Sequence, residues 1–259
     1  FFGDEFLLGI GWRIPFIASI VLVLVGLWIR SGLGETPHFK AAREEDGVAK
    51  LPILETLRHH FPAVLVSVGI KVVETAPFYI FATFVASYAT GTLSFERSTV
   101  LNAVSLGALV STFMIPVMGA LSDRVGRTRV YVTGALAIAA FAFPFFLLLD
   151  TGANWAVFAA VVIGLGVVWP PVTGTLGTMS SEIFSARIRY TGVTLGYQIG
   201  AAVAGGTAPL IATWLLHEFN DQWHPIAIYI IITAAISLLA VIFAPAIARR
   251  EAANAPDLP

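Results

Sequence analysis

Long apolar runs broken by short polar intervals set the pattern of this chain. Seven stretches reach the length that crosses a membrane: Trp12 to Ile29, Phe61 to Tyr88, Thr99 to Leu121, Val130 to Leu149, Ala153 to Ser181, Thr191 to Leu216 and Pro225 to Ala248. A hydrocarbon core about 30 Å thick takes roughly 20 helical residues, so each run predicts one span. The runs are continuous rather than alternating, which predicts helices and argues against barrel strands. The five runs from Thr99 onward contain no Asp, Glu, Lys or Arg. The interval from Arg30 to His60 is the one long polar break, and its AAREEDGVAK stretch reads as a solvated connection. The pattern therefore predicts an all-α integral membrane protein with seven transmembrane helices.

Composition agrees. Of 259 residues, 57% are hydrophobic and 12% charged, with a mean hydropathy of +0.84, too apolar for an ordinary water-soluble domain. The net charge of -1 hides a strong sorting of charge along the chain. Twelve of the fifteen bases fall in alternate intervals: Arg30, Lys40, Arg43, Lys50 and Arg58; Arg124, Arg127 and Arg129; Arg187 and Arg189; Arg249 and Arg250. Across the membrane from them stand Arg13 and Arg97, and Lys71 lies inside a span. Bases in short loops stay on the cytoplasmic side, which predicts a multi-pass membrane protein with a cytoplasmic C-terminus and an external start. Without cysteine there are no disulfides, thiolate metal sites or catalytic thiols to consider. The chain opens on Phe1 and shows no secretory leader pattern, which predicts a piece of a longer protein.

Between the third and fourth runs lies Gly119 to Arg129, GALSDRVGRTR, a tight charged hairpin. Gly119 lets two helices approach, and Gly126 permits the backbone conformation that a short reversal needs. This stretch resembles the loop signature of the major facilitator superfamily through Gly119, Asp123, Arg124, Gly126 and Arg127. It departs where Thr128 replaces a second base and Arg129 follows one place late. GETP at Gly34 to Pro37 looks like the signature such proteins carry after the sixth helix. Together with GWRIPFIAS (Gly11 to Ser19), GETPHF (Gly34 to Phe39) and SEIFSARIRYTGVTLGYQIG (Ser181 to Gly200), the match resembles the metabolite:proton symporter branch, whose members carry organic acids or osmolytes. The resemblance implies a twelve-helix protein, of which helices 6 to 12 are present. On that basis residues 1–30 are expected to be the last helix of an N-terminal bundle and 31–60 a central cytoplasmic loop. Residues 61–250 would then form the C-terminal six-helix bundle and 251–259 a cytoplasmic tail. The implied partners are the lipid bilayer, the missing N-terminal half, a small-molecule substrate and a proton; no nucleic acid is expected.

Two charges lie well inside a span. Lys71 and Glu74, three residues apart, share one helix face with Ser67 and Phe78. Ionisable groups at this depth are costly and face a wet cavity or a partner. Burial favours the neutral acid while a neighbouring ammonium favours the carboxylate, a balance that a moving substrate can tip. Lys71 is thus a candidate to hold an anionic substrate and Glu74 to carry the coupled proton; the alternative is a permanent pair serving stability alone. Further candidates for the pathway are Asn102, with Ser105 on its face; Trp169, beside Pro170 and Pro171 where a bend would free backbone groups; and Tyr197 and Gln198. The resemblance implies that the Lys71 and Trp169 helices line a central cavity, whereas for Trp169 and Tyr197 plain helix packing is an equal alternative. Gly196 and Gly200 form a small-xxx-small pair suited to a close helix contact.

Gly119, Asp123, Arg124, Gly126, Arg127, Glu182 and Arg189 are the candidate gating set. Asp123 is expected to dock on the amino end of the helix beginning near Thr191, and Arg127 to pair with Glu182. The alternative is that these bases only set topology. His38, His59, His60, His217 and His224 read as solvated interfacial residues, since no metal-ligand spacing accompanies them. His217-Glu218 starts like a zinc-protease helix, but Asp221 stands where the second His would be. With no G-x-S-x-G elbow and no Walker A loop, neither a resident cofactor nor an enzyme is expected. A secondary active transporter of the cell inner (plasma) membrane, a proton symporter for a small organic anion or zwitterion working by alternating access, is the leading reading. A seven-helix receptor or photoreceptor is the alternative, opposed by a last helix without Lys, and a membrane enzyme comes third.

Overall fold

The computed structural model describes residues 9–32, 52–185 and 188–253. The chain divides into two units, residues 1–50 and 51–259. The first contains one membrane-length helix, α1 (Gly11–Gly32), which opens with a short tight turn at Gly11–Arg13. The second begins with the short α2 (Pro52–His59). Six membrane-length helices follow: α3 (Phe61–Gly91), α4 (Arg97–Val125), α5 (Arg127–Asp150), α6 (Asn154–Ile183), α7 (Arg189–Glu218) and α8 (His224–Ala253). All seven expected spans are present, and among the described residues there is no strand. The GETPHF and AAREEDGVAK segments, His38 and Arg187 lie outside the described residues.

The hairpin at Gly119 to Arg129 is shorter than the sequence suggested. Helix α4 runs on through Ser122, Asp123 and Arg124 to Val125, and α5 starts at Arg127. Charged residues do not end a helix that has already left the apolar layer, so the connection shrinks to Gly126. That residue has φ +106°, a conformation that L side chains rarely adopt, which is why glycine stands there. At the opposite end the α7–α8 turn uses Asn220 (φ 54°) and Asp221 (φ 61°), the residue types that best tolerate the left-handed region.

Three spans contain a wide turn with the five-residue hydrogen-bond spacing of a π-helix: Ile80–Phe84 in α3, Gly164–Val168 in α6 and Ala201–Gly205 in α7. Each lies close to a proline, respectively Pro77, Pro170 and Pro209. A proline in a helix removes one donor and crowds the preceding turn, and a wide turn absorbs the mismatch.

Helix α3 is the hub of the second unit. Antiparallel to it runs α8, with Ala240 against Gly69 and Ser237 inserted at the Gly69–Val73 step. The Ser237 hydroxyl accepts from the Val73 N–H at 2.9 Å and donates to the Gly69 carbonyl at 2.6 Å, the two groups that an unbroken helix pairs with each other. The seam ends at His60, whose ring Nδ1 pairs with the buried carboxylate of Glu251. His60 is therefore a packed partner, not the solvated interfacial residue the sequence suggested, and Glu251 belongs to the end of α8 rather than to a free tail. Against another face of α3 lies α7, brought close by Gly196, Gly200 and Gly205. A Cβ on Gly196 would meet Ser67 Oγ at 2.1 Å, and one on Gly200 would meet Lys71 Cβ at 2.7 Å. The expected small-xxx-small contact is thus a real seam. Helices α4 and α6 approach in the same way through Gly119 and Gly174, where a Cβ on Gly174 would stand 3.1 Å from the Gly119 nitrogen.

The end of the unit near Trp223 is filled by rings. Phe81 meets Phe145 at 4.7 Å, Phe145 meets Phe146 at 5.1 Å, and Phe146 stacks on Trp223 at 5.4 Å. Trp223 gives its indole N–H to Asp150, so the ring's polar edge is satisfied where the bundle ends. Apolar side chains such as Phe113, Leu210 and Ile242 point outward, as a surface facing lipid requires. Gly196→Val is expected to force α7 off α3 and to destabilise the unit by about 1–3 kcal/mol. Thermal unfolding of the detergent-solubilised protein measures this, and an unchanged midpoint would contradict the seam.

Candidate functional site

The candidate site is built around one turn of α3. Lys71 stands ten residues beyond Phe61, so it lies about 15 Å along the helix from its start, well within the apolar layer. Its Nζ is 2.5 Å from Glu74 Oε2, and both side chains are largely enclosed, at 14% and 11% exposure. The pair is held from several sides. Thr75 Oγ1 donates to Glu74 Oε2 at 2.7 Å, and Thr173 Oγ1 of α6 faces Glu74 Oε1 at 3.4 Å. The Lys71 ammonium also lies over the Tyr197 ring of α7, 4.7 Å from its centroid.

The backbone around the pair is tied down as well. Trp169 gives its indole N–H to the Glu74 carbonyl at 2.6 Å, and Tyr131 of α5 gives its hydroxyl to the Ile70 carbonyl at 2.5 Å. A carbonyl in a helix keeps a second lone pair for such a donor. Phe78 packs on the Trp169 ring at 4.9 Å, a turn beyond Glu74. The Tyr197 hydroxyl reaches toward Gly177, where a Cβ would stand 3.7 Å away. Pro77 follows Glu74 by three residues, and the wide turn at Ile80–Phe84 comes next. The charged pair thus sits just before the least regular part of its helix.

Of the candidates named from sequence, the fold brings Lys71, Glu74, Trp169 and Tyr197 into one cluster. Asn102 and Gln198 are exposed, and no described hydrogen bond joins either to it. Gln198 directly follows Tyr197, and a helix turns successive side chains about 100° apart, so it points elsewhere. Thr75, Thr173, Tyr131 and Ser237 belong to the cluster and were not picked out by sequence. For Thr173 a signal existed, its place one helical turn after Trp169 on the same face.

The gating candidates gather at the Gly126 end of α4. Arg127 pairs with Glu182 at the end of α6 and also approaches Asp123 Oδ1 at 3.5 Å. Among the described residues no hydrogen bond joins Asp123 to the amino end of α7, which begins at Arg189 after Ile188. Asp123 shares Arg127 instead, because the two flank the reversal at Gly126. Gly119 faces Gly174, Arg124 is exposed, and Arg189 gives its Nε–H to the Phe184 carbonyl at 3.3 Å. Among the described residues no cluster of His, Asp and Glu has the grouping that holds a metal ion.

A bundle of membrane-length helices around the enclosed Lys71–Glu74 pair defines a helical membrane protein with a polar centre. A family model described as the Major Facilitator Superfamily matches residues 5–196, and the chain belongs to that family. It is 37% identical to the shikimate transporter of Escherichia coli (strain K12), over 91% of this chain and 54% of that protein. It is 31% identical to the glycine betaine/proline/ectoine/pipecolic acid transporter OusA of Dickeya dadantii (strain 3937), over 98% of this chain and 51% of the relative. With the citrate-proton symporter of Klebsiella pneumoniae it shares 29% identity, over 83% of this chain and 48% of the other. The chain spans about half the length of the curated relatives it matches. No solved structure matches it. These relatives are named as transporters, which are not enzymes, and the receptor reading finds no support among them.

Proposed function

We propose that this chain forms part of a secondary active transporter that moves a small organic acid or osmolyte together with a proton by alternating access. On this reading α3 to α8 make one of two helix bundles and α1 belongs to the other. The sorting of bases supports a cytoplasmic C-terminal end of α8, and the printed name of the inner membrane metabolite transport protein YhjE of Escherichia coli supports the cell inner membrane. The single observation that carries the reading is the Lys71–Glu74 pair at membrane depth, 2.5 Å apart and surrounded by helices that bring no other charge to it. A pair in that position offers an ammonium to a carboxylate substrate and a carboxylate to a proton. A proton on Glu74 frees Lys71 for an anion, and an anion on Lys71 takes the counter-ion from Glu74, so each favours the other and the two travel together. The wide turns in α3, α6 and α7 give these spans places to bend as the bundles rock.

The Arg127–Glu182 pair with Asp123 serves as a latch between the ends of α4, α5 and α6. Such contacts, made in one state and broken in another, bias which face is open. Three outcomes test these roles in proteoliposomes containing the full-length protein. Glu74→Gln abolishes accumulation driven by a pH gradient while exchange of labelled shikimate against unlabelled shikimate persists; uphill uptake at the wild-type rate would remove Glu74 from coupling. Lys71→Ala weakens binding of shikimate and citrate at least about tenfold, as loss of a buried ion-pair partner implies, and affects the zwitterion glycine betaine less. Equal losses would argue against charge recognition. Arg127→Glu shifts the balance of accessibility of cysteines introduced at the two faces, and adding Glu182→Arg restores it; a double variant no better than the single one would rule out the latch.

A further inference from the structure

We propose that Tyr197 is a positioning residue for Lys71, its ring face holding the ammonium during the interval in which Glu74 is neutral. This rests on the transport reading, in which Glu74 takes and releases a proton. The Lys71 Nζ has two described partners, Glu74 Oε2 at 2.5 Å and the Tyr197 ring at 4.7 Å. Once Glu74 is protonated, the first of these no longer offers a charge. The second is unaffected, because the negative face of an aromatic ring is a fixed feature of its electron distribution.

Among the described residues the surroundings provide no other counter-charge. The apolar stretches of α4 to α8 contain no Asp, Glu, Lys or Arg. The titratable groups that face this part of α3 from its neighbours are Tyr197 of α7, Tyr131 of α5 and Tyr229 of α8. The Tyr131 hydroxyl is committed to the Ile70 carbonyl, and Tyr229 packs beside Ala76 with Ala204 and Ala208. From α6 come Thr173 and Trp169, which do not ionise, and the Trp169 N–H is given to the Glu74 carbonyl. Glu251, the buried acid of α8, is held by His60 at the end of the seam.

The ring is placed by the backbone on either side of it. Gly196 lies against Ser67 and Gly200 against the Lys71 stem, with no room for a Cβ at either, so α7 presses on α3 above and below Tyr197. The ring is thereby laid along the lysine side chain. Its hydroxyl reaches away toward Gly177 on α6. Ring and hydroxyl therefore have separate surroundings, and the seat for the ammonium is the ring alone. An order of events follows. The proton arrives at Glu74 first, Lys71 rests on Tyr197 as a cation without an anion, and a carboxylate then completes the site. The substrate class this implies is a carboxylate with no cationic group of its own near the acid, since the ring is already occupied by Lys71.

The test is a substrate-free cycle of variants of the full-length protein, read as the thermal unfolding midpoint in detergent. Glu74→Gln mimics the protonated state. Tyr197→Leu should lower the midpoint by at least about 3 °C more in the Glu74→Gln background than in the wild type, where the carboxylate still holds Lys71. Tyr197→Phe, which keeps the ring, should show no such excess in either background. With Lys71→Met added, the excess should vanish, since no ammonium remains to be held. The packing cost of losing the ring is common to both backgrounds and cancels in the comparison. An equal loss in the two backgrounds, an excess that survives Lys71→Met, or a Tyr197→Phe variant as impaired as Tyr197→Leu would each overturn the proposal. Because no substrate enters the measurement, the cycle can fail while Lys71→Ala still costs anion uptake, and the transport reading then stands without Tyr197.

Discussion

An ion pair inside a membrane has to be satisfied by what the surrounding protein brings to it, because lipid offers neither charge nor hydrogen bonds. Lys71 and Glu74 meet this constraint with a 2.5 Å contact, two threonine hydroxyls and one aromatic face. The cost of enclosing two charges is repaid only when the geometry is good and the remaining lone pairs are used. That requirement accounts for the arrangement around α3. Helices α5, α6 and α8 each send a side-chain donor to a carbonyl of this one helix, at Ile70, Glu74 and Gly69. Three donors from neighbouring helices thus converge on the stretch of α3 that carries the charges.

Close approach makes those contacts possible. Glycines on α7 bring its backbone against α3, and glycines on α4 and α6 bring those two together. With little net hydrophobic force between helices in lipid, such approach supplies the packing that holds a bundle together. The wide turns have a complementary part. They lie in α3, α6 and α7, the three helices whose side chains touch the Lys71 and Glu74 charges themselves. Dense aromatic packing near Trp223 contrasts with this irregular middle. The unit is thus filled with rings at one end, and its wide turns lie in the helices that meet at its polar centre.

Sequence marks a polar position but not the face it occupies: Asn102 and Gln198 are both exposed on this unit and make no described hydrogen bond to the Lys71 cluster. Asp123 was expected to meet the start of α7, but with α4 continuing to Val125 and α5 starting at Arg127 it lies across the Gly126 reversal from Arg127. The charged hairpin proved to be mostly helix, because polarity marks the edge of the membrane and not the end of the element. His60 and Glu251, nearly two hundred residues apart, meet at the end of the α3–α8 seam. No local pattern announces a pair of that separation.

The sequence by itself determined the number of spans, their helical nature, the family signature at Gly119 to Arg127 and the presence of one acid and one base at membrane depth. All of these are local or periodic properties, fixed by apolar run length, by glycine's backbone freedom and by the three-residue spacing that puts Lys71 and Glu74 on one face. Tertiary structure alone decided that Tyr197 supplies a ring to Lys71, that Thr173 and Trp169 reach Glu74, and that Ser237 enters the α3 ladder. Those contacts join helices with long intervening stretches, and they depend on which face each helix turns inward. In a chain whose spans are apolar on every side, hydrophobic periodicity does not encode that choice; close packing of glycines against neighbouring helices does.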